Sequence, residues 1–192
     1  MVLIIYAHPD PQSFNHAILE TTTSLLRTNG KSFQVVDLYA VNFNPVMSAK
    51  EVKGALSEET KHYQQLIKKS TSIIFIFPVW WFRAPAILEG FCDKVFTPGF
   101  AYRFKKIIGI YGIPLPMLRD KTVRAFITHG APALPVKTIY FNAVKYRFLL
   151  GFLSFSFYLF RCRIFQFWAV PFVSDKKRKS YLRKVSSVIS KL

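Results

Sequence analysis

Three short segments carry the residue types from which a site could be built. In the first, His8-Pro9-Asp10-Pro11-Gln12-Ser13-Phe14-Asn15-His16, Ser13 is placed to cap a following helix, and the free N–H groups of that helix's first turn make an anion site. His8 adds a donor or a positive charge; a plain helix cap between turn prolines is the competing explanation. In the second, Pro78-Val79-Trp80-Trp81-Phe82-Arg83-Ala84-Pro85, three successive aromatics suit a flat ring system that stacks on them while loop N–H groups bond its heteroatoms. Packing of Trp80, Trp81 and Phe82 in the core or a subunit seam is the alternative. In the third, Thr128-His129-Gly130-Ala131-Pro132, small residues let the backbone approach a ligand closely, although a lone His129 is ordinary in a loop. No Walker lysine and no glycine-rich fingerprint occurs, which argues against an ATPase and a dinucleotide-binding Rossmann enzyme. No metal-ligand spacing is present, and Cys92 and Cys162 are too few for a disulfide framework, as in a reducing compartment.

These segments need a scaffold, and the hydrophobic pattern supplies one. Apolar runs at Val2 to Ala7, Phe33 to Val36, Ser72 to Phe77, Thr122 to Thr128 and Ile164 to Val170 read as strands. Helical patterns alternate with them at Ser13 to Arg27, around Glu58 to Lys69, at Pro85 to Phe96, somewhere in Lys137 to Phe155, and at Asp175 to Ser190. Strands this apolar are buried on both faces, so the pattern predicts an α/β fold with a parallel sheet and helices on both faces. Right-handed crossovers then give a doubly wound, flavodoxin-like five-stranded sheet of order 2-1-3-4-5. Ligands of such sheets lie at the carboxyl ends of the strands, where all three segments fall.

The 192 residues are expected to form a single domain, and with 51% hydrophobic and 17% aromatic residues they can bury a core. The net charge of +17 is distributed unevenly: residues 1–100 hold 9 basic and 8 acidic side chains, residues 101–192 hold 18 and 2. Such a field favours anionic partners, among them a nucleotide phosphate, an acidic protein, a membrane surface or nucleic acid. Nucleic acid ranks last, since no recognition motif accompanies the charge. The start, Met1-Val2-Leu3-Ile4-Ile5-Tyr6, lacks a basic region and reads as a strand, not a signal peptide. The apolar run Phe148 to Phe160 has 13 residues, short of the ~20 that span a bilayer, and reads as a buried helix or subunit interface. A cytoplasmic address is expected, with a peripheral position at the inner face of a membrane as an extension of the same reading.

The stretch from Phe77 to Tyr102, FPVWWFRAPAILEGFCDKVFTPGFAY, resembles the signature of the flavin-dependent NAD(P)H:quinone oxidoreductases, a family that includes ancillary subunits of potassium-efflux systems. Ala7-His8-Pro9 with Ser13-Phe14-Asn15 resembles that family's phosphate loop, and Asp37-Leu38-Tyr39-Ala40 with Asn42-Phe43-Asn44-Pro45 the segment after its second strand. The likeness runs from residue 1 to about residue 131. It implies a flavin whose phosphate end meets His8, Ser13, Phe14 and Asn15. The isoalloxazine is wrapped by Pro78, Val79, Trp80, Trp81 and Phe82, largely through backbone contacts, and edged by Thr128, His129 and Gly130. It further implies a homodimer with Phe100, Ala101 and Tyr102 near the seam. The implied reaction passes hydride from NAD(P)H through the flavin to a quinone or similar electrophile by ping-pong kinetics.

After residue 131 the likeness fails. Several members place a tyrosine and a histidine there, and the stretch Pro132 to Ala143 has no histidine; Tyr140 and Asn142 stand as catalytic substitutes, and Trp80 occupies a position where glutamine is common. The phosphate-loop residues favour FAD slightly and the short chain favours FMN, with FAD preferred on balance. The basic run Lys176-Lys177-Arg178-Lys179 with Arg183-Lys184 reads as a solvated helix face or as an attachment to an anionic membrane or acidic partner. A second function follows from it: a flavin-binding regulatory subunit that docks on a membrane transporter.

Overall fold

The computed structural model describes residues 1–192. Its strands are β1 (Val2–Tyr6), β2 (Phe33–Asp37), β3 (Ser72–Pro78), β4 (Tyr102–Ile108), β5 (Tyr111–Pro116), β6 (Thr122–Thr128) and β7 (Cys162–Phe167). Five of them pair in parallel in the order β2-β1-β3-β6-β7, the expected flavodoxin-like order once β4 and β5 are set aside. Alternate side chains divide two cores. Leu3, Ile5, Ile73, Phe75 and Phe77 face one side, where they meet α3 (Glu58–Lys69) and α4 (Ala86–Val95) through Tyr63, Ile67, Leu88 and Phe91. Ile4, Tyr6, Ile74, Ile76 and Phe126 face the other, under Ile18, Leu26, Val185 and Ile189 of α1 (Phe14–Thr28) and α8 (Asp175–Ile189). Burial on both faces is why these strands carry no polar alternation.

Four helix starts are set by side-chain oxygens. Ser13, Ser57 and Ser174 each accept an N–H of the first turn, and Ser48 with Glu51 forms a capping box on the short α2 (Ala49–Val52). Glu51 also reaches the ammonium of Lys94, 3.2 Å away and buried, which ties the segment after β2 to α4. The same segment runs so close to α4 that a Cβ on Gly90 would overlap Pro45.

Three features depart from the sequence reading. Residues Tyr102–Pro116 form an antiparallel hairpin, β4 with β5, where no strands were expected. Its prolines, Pro114 and Pro116, are tolerated because each strand is paired on one side only. The helix expected within Lys137 to Phe155 is broken into α5 (Ala133–Thr138), α6 (Ala143–Tyr146), a π-helical stretch over Arg147–Leu153 and α7 (Ser154–Ser156). The break falls at Phe141 and Asn142, both left-handed at φ 48° and 51°. The last strand starts and ends earlier than expected, because Ala169, at φ 50°, turns the chain after it. Of the apolar run Phe148 to Phe160, Phe148, Leu153 and Phe157 are buried and Leu150, Leu159 and Phe160 exposed; no helix is long and apolar enough to cross a membrane.

Gly90→Ala is expected to lower stability by about 2 kcal/mol, since the added methyl must push α4 away from a backbone that cannot yield cheaply; urea denaturation measures it.

Candidate functional site

The loops after β1, β3 and β6 open on one cleft of about 610 Å³ at the carboxyl end of the sheet. Its first wall is the turn into α1. Ser13 Oγ accepts the His16 N–H at 3.2 Å, and the N–H groups of Phe14 and Asn15 donate to no protein acceptor. They are left for a ligand, and the helix dipole favours an anion there. His8 Nδ1 accepts the Asp10 N–H at 3.1 Å, so its proton sits on Nε2, and burial holds its pKa below the ordinary value. His8 is therefore a neutral donor and not the positive charge considered from sequence. The cation at this end is Arg178 of α8, which pairs with Asp175 and donates to the Val170 carbonyl at 3.2 Å.

Asn15, Thr128, Pro78 and Val79 form the floor. Asn15 Nδ2 donates to Thr128 Oγ1 at 2.8 Å, while Asn15 Oδ1 is sealed from solvent without a partner. Val79 N–H donates to the Thr128 carbonyl and His129 N–H to the Phe167 carbonyl, both at 2.8 Å. These bonds continue the ladder one step past the strand ends and hold the two loops in register. The Gly130 N–H has no protein acceptor.

The aromatic loop differs from expectation. Trp80 and Arg83 exchange two backbone hydrogen bonds, closing a tight turn whose central residues, Trp81 and Phe82, both lie left-handed at φ 49° and 55°. That conformation is an outlier for bulky residues. Trp80 lines the cleft, its ring 6.3 Å from that of His8. Trp81 and Phe82 do not line it: the Trp81 side chain is 91% exposed, and Phe82 packs on Tyr140, ring centroids 4.4 Å apart. The turn that throws these side chains outward leaves their N–H groups without protein acceptors, so the main chain is the part of this turn available for binding.

The third wall is His129, 2% exposed and stacked on Trp168 at 4.0 Å. Burial lowers its pKa to about 4, so the ring is neutral. The catalytic candidates Tyr140 and Asn142 do not line the cleft. Tyr140 is occupied with Phe82, and Asn142 is buried behind His129, in a reciprocal pair with Gln166 whose two bonds measure 2.8 and 3.0 Å. Sequence reasoning missed Gln166 and Arg178. The first sits inside a strand; the second was read as part of a solvated basic face, although Asp175 three residues earlier marks it as a fixed side chain.

A second cavity of about 440 Å³ lies by α4 and the π-helical stretch, with Cys92, Asp93 and the Glu89–Arg147 ion pair in its wall. Burial pushes the Cys92 thiol well above its ordinary range and Cys162 up to about 11, so neither is a nucleophile.

Comparison with known proteins bears on this geometry. The family model described as flavodoxin-like fold matches residues 1–188. An uncharacterized NAD(P)H oxidoreductase of Haemophilus influenzae is 34% identical over 134 residues, 67% of this chain and 64% of that protein. The ribosyldihydronicotinamide dehydrogenase [quinone] of Pongo abelii is 35% identical over 153 residues, 69% of this chain and 64% of its own. The alignment thus spans just under two-thirds of each relative's length. Among solved structures, a Streptococcus mutans protein superposes with a TM-score of 0.86 at 29% identity, covering 100% of this chain and 99% of its own. An FMN-dependent NADH-azoreductase of Bacillus anthracis, solved in complex with FMN, has a TM-score of 0.79 and covers 99% of this chain and 97% of its own; at 15% identity that likeness is one of fold.

Two outcomes follow. Trp81→Gly removes left-handed strain and loses no buried contact, so stability should rise by about 1 kcal/mol in urea denaturation. His129 titrates near pH 4 when folded and near 6.5 when unfolded, so its contribution is full above pH 6.5 and drains as pH falls toward 4. Between those limits the wild type should lose about 3 kcal/mol more than His129→Gln, as read from denaturation midpoints across pH.

Proposed function

The chain belongs to the flavodoxin-like fold family, and on that premise we propose that it is an oxidoreductase that binds flavin in one domain and passes hydride from NAD(P)H to a quinone or a related electrophile. The observation that carries this reading is the cleft in which a helix N-terminus with two free N–H groups stands beside Trp80, the first residue of a turn whose two central N–H groups are also free. The first suits a phosphate and the second the edge of a flat heterocycle.

The residues present fit a flavin. At the phosphate end, Phe14 and Asn15 would offer main-chain donors, His8 a neutral Nε2–H and Arg178 a charge. The donor set agrees: the N–H groups of Phe14, Asn15 and Gly130 lack protein acceptors, as the oxygens of a phosphate and the edge of a flavin require. At the ring end, Trp81, Phe82 and Gly130 would bind through the main chain, with Trp80, Val79, Pro78 and Thr128 closing around them. The flavin, when bound, supplies acceptance and release of hydride; the chain's part is to hold the ring edge-on to fixed N–H groups and to shield it from water. One cleft serving donor and acceptor in turn supports ping-pong kinetics.

FMN is the form better supported. The FMN-bound azoreductase shares the fold over nearly the whole chain, and nothing in the cleft favours the FAD preferred from sequence. The quinone acceptor is supported by the name of the Pongo abelii relative. A homodimer belongs to the same reading: the hairpin that follows Phe100, Ala101 and Tyr102 exposes Phe104, Ile108, Ile110 and Ile113. The transporter-docking alternative draws no support from relatives named as oxidoreductases.

Purified protein reconstituted with FMN should lose its oxidised-flavin absorption on anaerobic addition of NADH or NADPH and regain it with a quinone. Bound flavin that stays oxidised with both donors overturns the enzyme reading, and no binding of FMN or FAD overturns the flavin reading. Asn15→Leu should weaken FMN binding at least tenfold in fluorescence quenching.

A further inference from the structure

Behind the cleft lies a buried array of hydrogen bonds that the family reading does not use. Gln166 Nε2 lies 2.8 Å from Asn142 Oδ1 and 2.9 Å from His129 Nε2, while Gln166 Oε1 accepts Asn142 Nδ2 at 3.0 Å. An amide nitrogen has hydrogens to give and no lone pair to offer. With the amide pair in this orientation, its contact with His129 Nε2 makes that ring nitrogen the acceptor and puts the imidazole proton on Nδ1. Nδ1 has no protein partner and is not among the sealed-off polar atoms of the fold, and His129 lines the cleft.

We propose that the Asn142–Gln166 amide pair locks His129 in the Nδ1–H tautomer, making the imidazole a permanently neutral hydrogen-bond donor to an electron-rich atom of the ring bound in the cleft, and neither a base nor a cation there. Gln166 and Asn142 are thus positioning residues that act through His129. The identity of the ring rests on the flavin reading; the tautomer does not.

Independent features agree. Asn142 holds a left-handed φ of 51°, a conformation that Asn adopts more readily than most residues. It is 7% exposed, and both ends of its amide are used on Gln166. Trp168 covers one face of the imidazole, and Lys137 Nζ lies 5.5 Å from the Trp168 ring centroid, so a positive charge already stands beyond the stack. The other ionisable groups on the cleft are His8, Asp10 and Arg178. None makes a hydrogen bond or ion pair with His129. Burial without an anionic partner agrees with a ring that stays neutral.

The test is long-range ¹⁵N–¹H correlation NMR of the flavin-free protein at pH 7, which separates protonated from unprotonated ring nitrogens. The chain has 4 histidines, and the His129 signals are those lost in His129→Gln. The expected spectrum shows protonated Nδ1 and bare Nε2, unchanged between pH 5 and 8. Gln166→Glu should move the proton to Nε2 and raise the His129 titration into the observable range. Asn142→Ala, which frees Gln166 without adding charge, should give a mixture of tautomers if the first variant does not fold. In FMN titrations, Gln166→Leu should weaken binding about tenfold. Protonated Nε2 in the wild type overturns the lock, and FMN affinity unchanged in a folded Gln166→Leu overturns the donor role. If no flavin binds the wild type, the flavin reading fails while the NMR result stands on its own.

Discussion

A parallel sheet covered on both faces leaves main-chain groups free only at its rims, and that constraint governs the rest of this molecule. β1 and β3 are closed to solvent along almost their whole lengths and β6 along all but Thr122 and Arg124 in its first half, so the polar service they offer a ligand lies where they end. There the ladder is carried one residue further by Ala7, Leu38, Val79 and His129, whose N–H groups bond to the neighbouring strand. Beyond that step the chain must reverse within a few residues, and the reversals force backbone into costly conformations. Of six non-glycine residues at positive φ, five (Trp81, Phe82, Phe141, Asn142 and Ala169) lie in the turns around this one rim. Strain gathered at one place, against a core that over-determines it, is what a preorganised site looks like in backbone terms.

The same constraint separates two kinds of residue at the rim. Main-chain donors without protein acceptors stand at the cleft at Phe14, Asn15 and Gly130, and at Trp81 and Phe82 in the turn next to it. Side chains do the holding: Ser13 caps, Asn15 bonds Thr128, Phe82 lies on Tyr140, and the amides of Asn142 and Gln166 stand behind His129. Phe82 and Tyr140 join the turn after β3 to the turn before α6, so two strained reversals brace one another through a ring contact.

How much of this was open to sequence reasoning follows from the range of the interactions. β6 was read with its observed ends, and β1 and β3 within a residue of theirs, because strands buried on both faces are almost wholly apolar, Arg124 being the one charge in the three. The site loops were found because topology alone puts them at one rim. The hairpin of Tyr102–Pro116 was not, since its alternation of Arg103 and Lys105 with Phe104 resembles no buried strand. Residue type suggested that Trp81 and Phe82 stack on a ring, while the resemblance implied largely backbone contacts; residue type says nothing about a left-handed turn that points the two side chains outward. Asn142 was named as a catalytic substitute, and the fold places it off the cleft lining, bonded to Gln166. Its partner Gln166 lies 24 residues on, and His129 lies 37 residues back from that partner, distances at which local pattern carries no information.

The turn closed by Trp80 and Arg83 has a consequence for how the protein changes over generations. On the proposed reading the turn binds through its amide groups, a contact indifferent to the side chain beside it, and positions 81 and 82 are then released from the pressure that recognition normally puts on a residue's chemistry. What selection can see there is the dihedral angle. Lineages of this fold are then free to exchange aromatic, polar or glycine residues in the turn while ligand preference stays constant, and to alter preference by changing residues such as Trp80 and His129 whose rings do enter the cleft. Ancestry at the two most conspicuous aromatics would be a poor guide to chemistry, and ancestry at their quieter neighbours a better one.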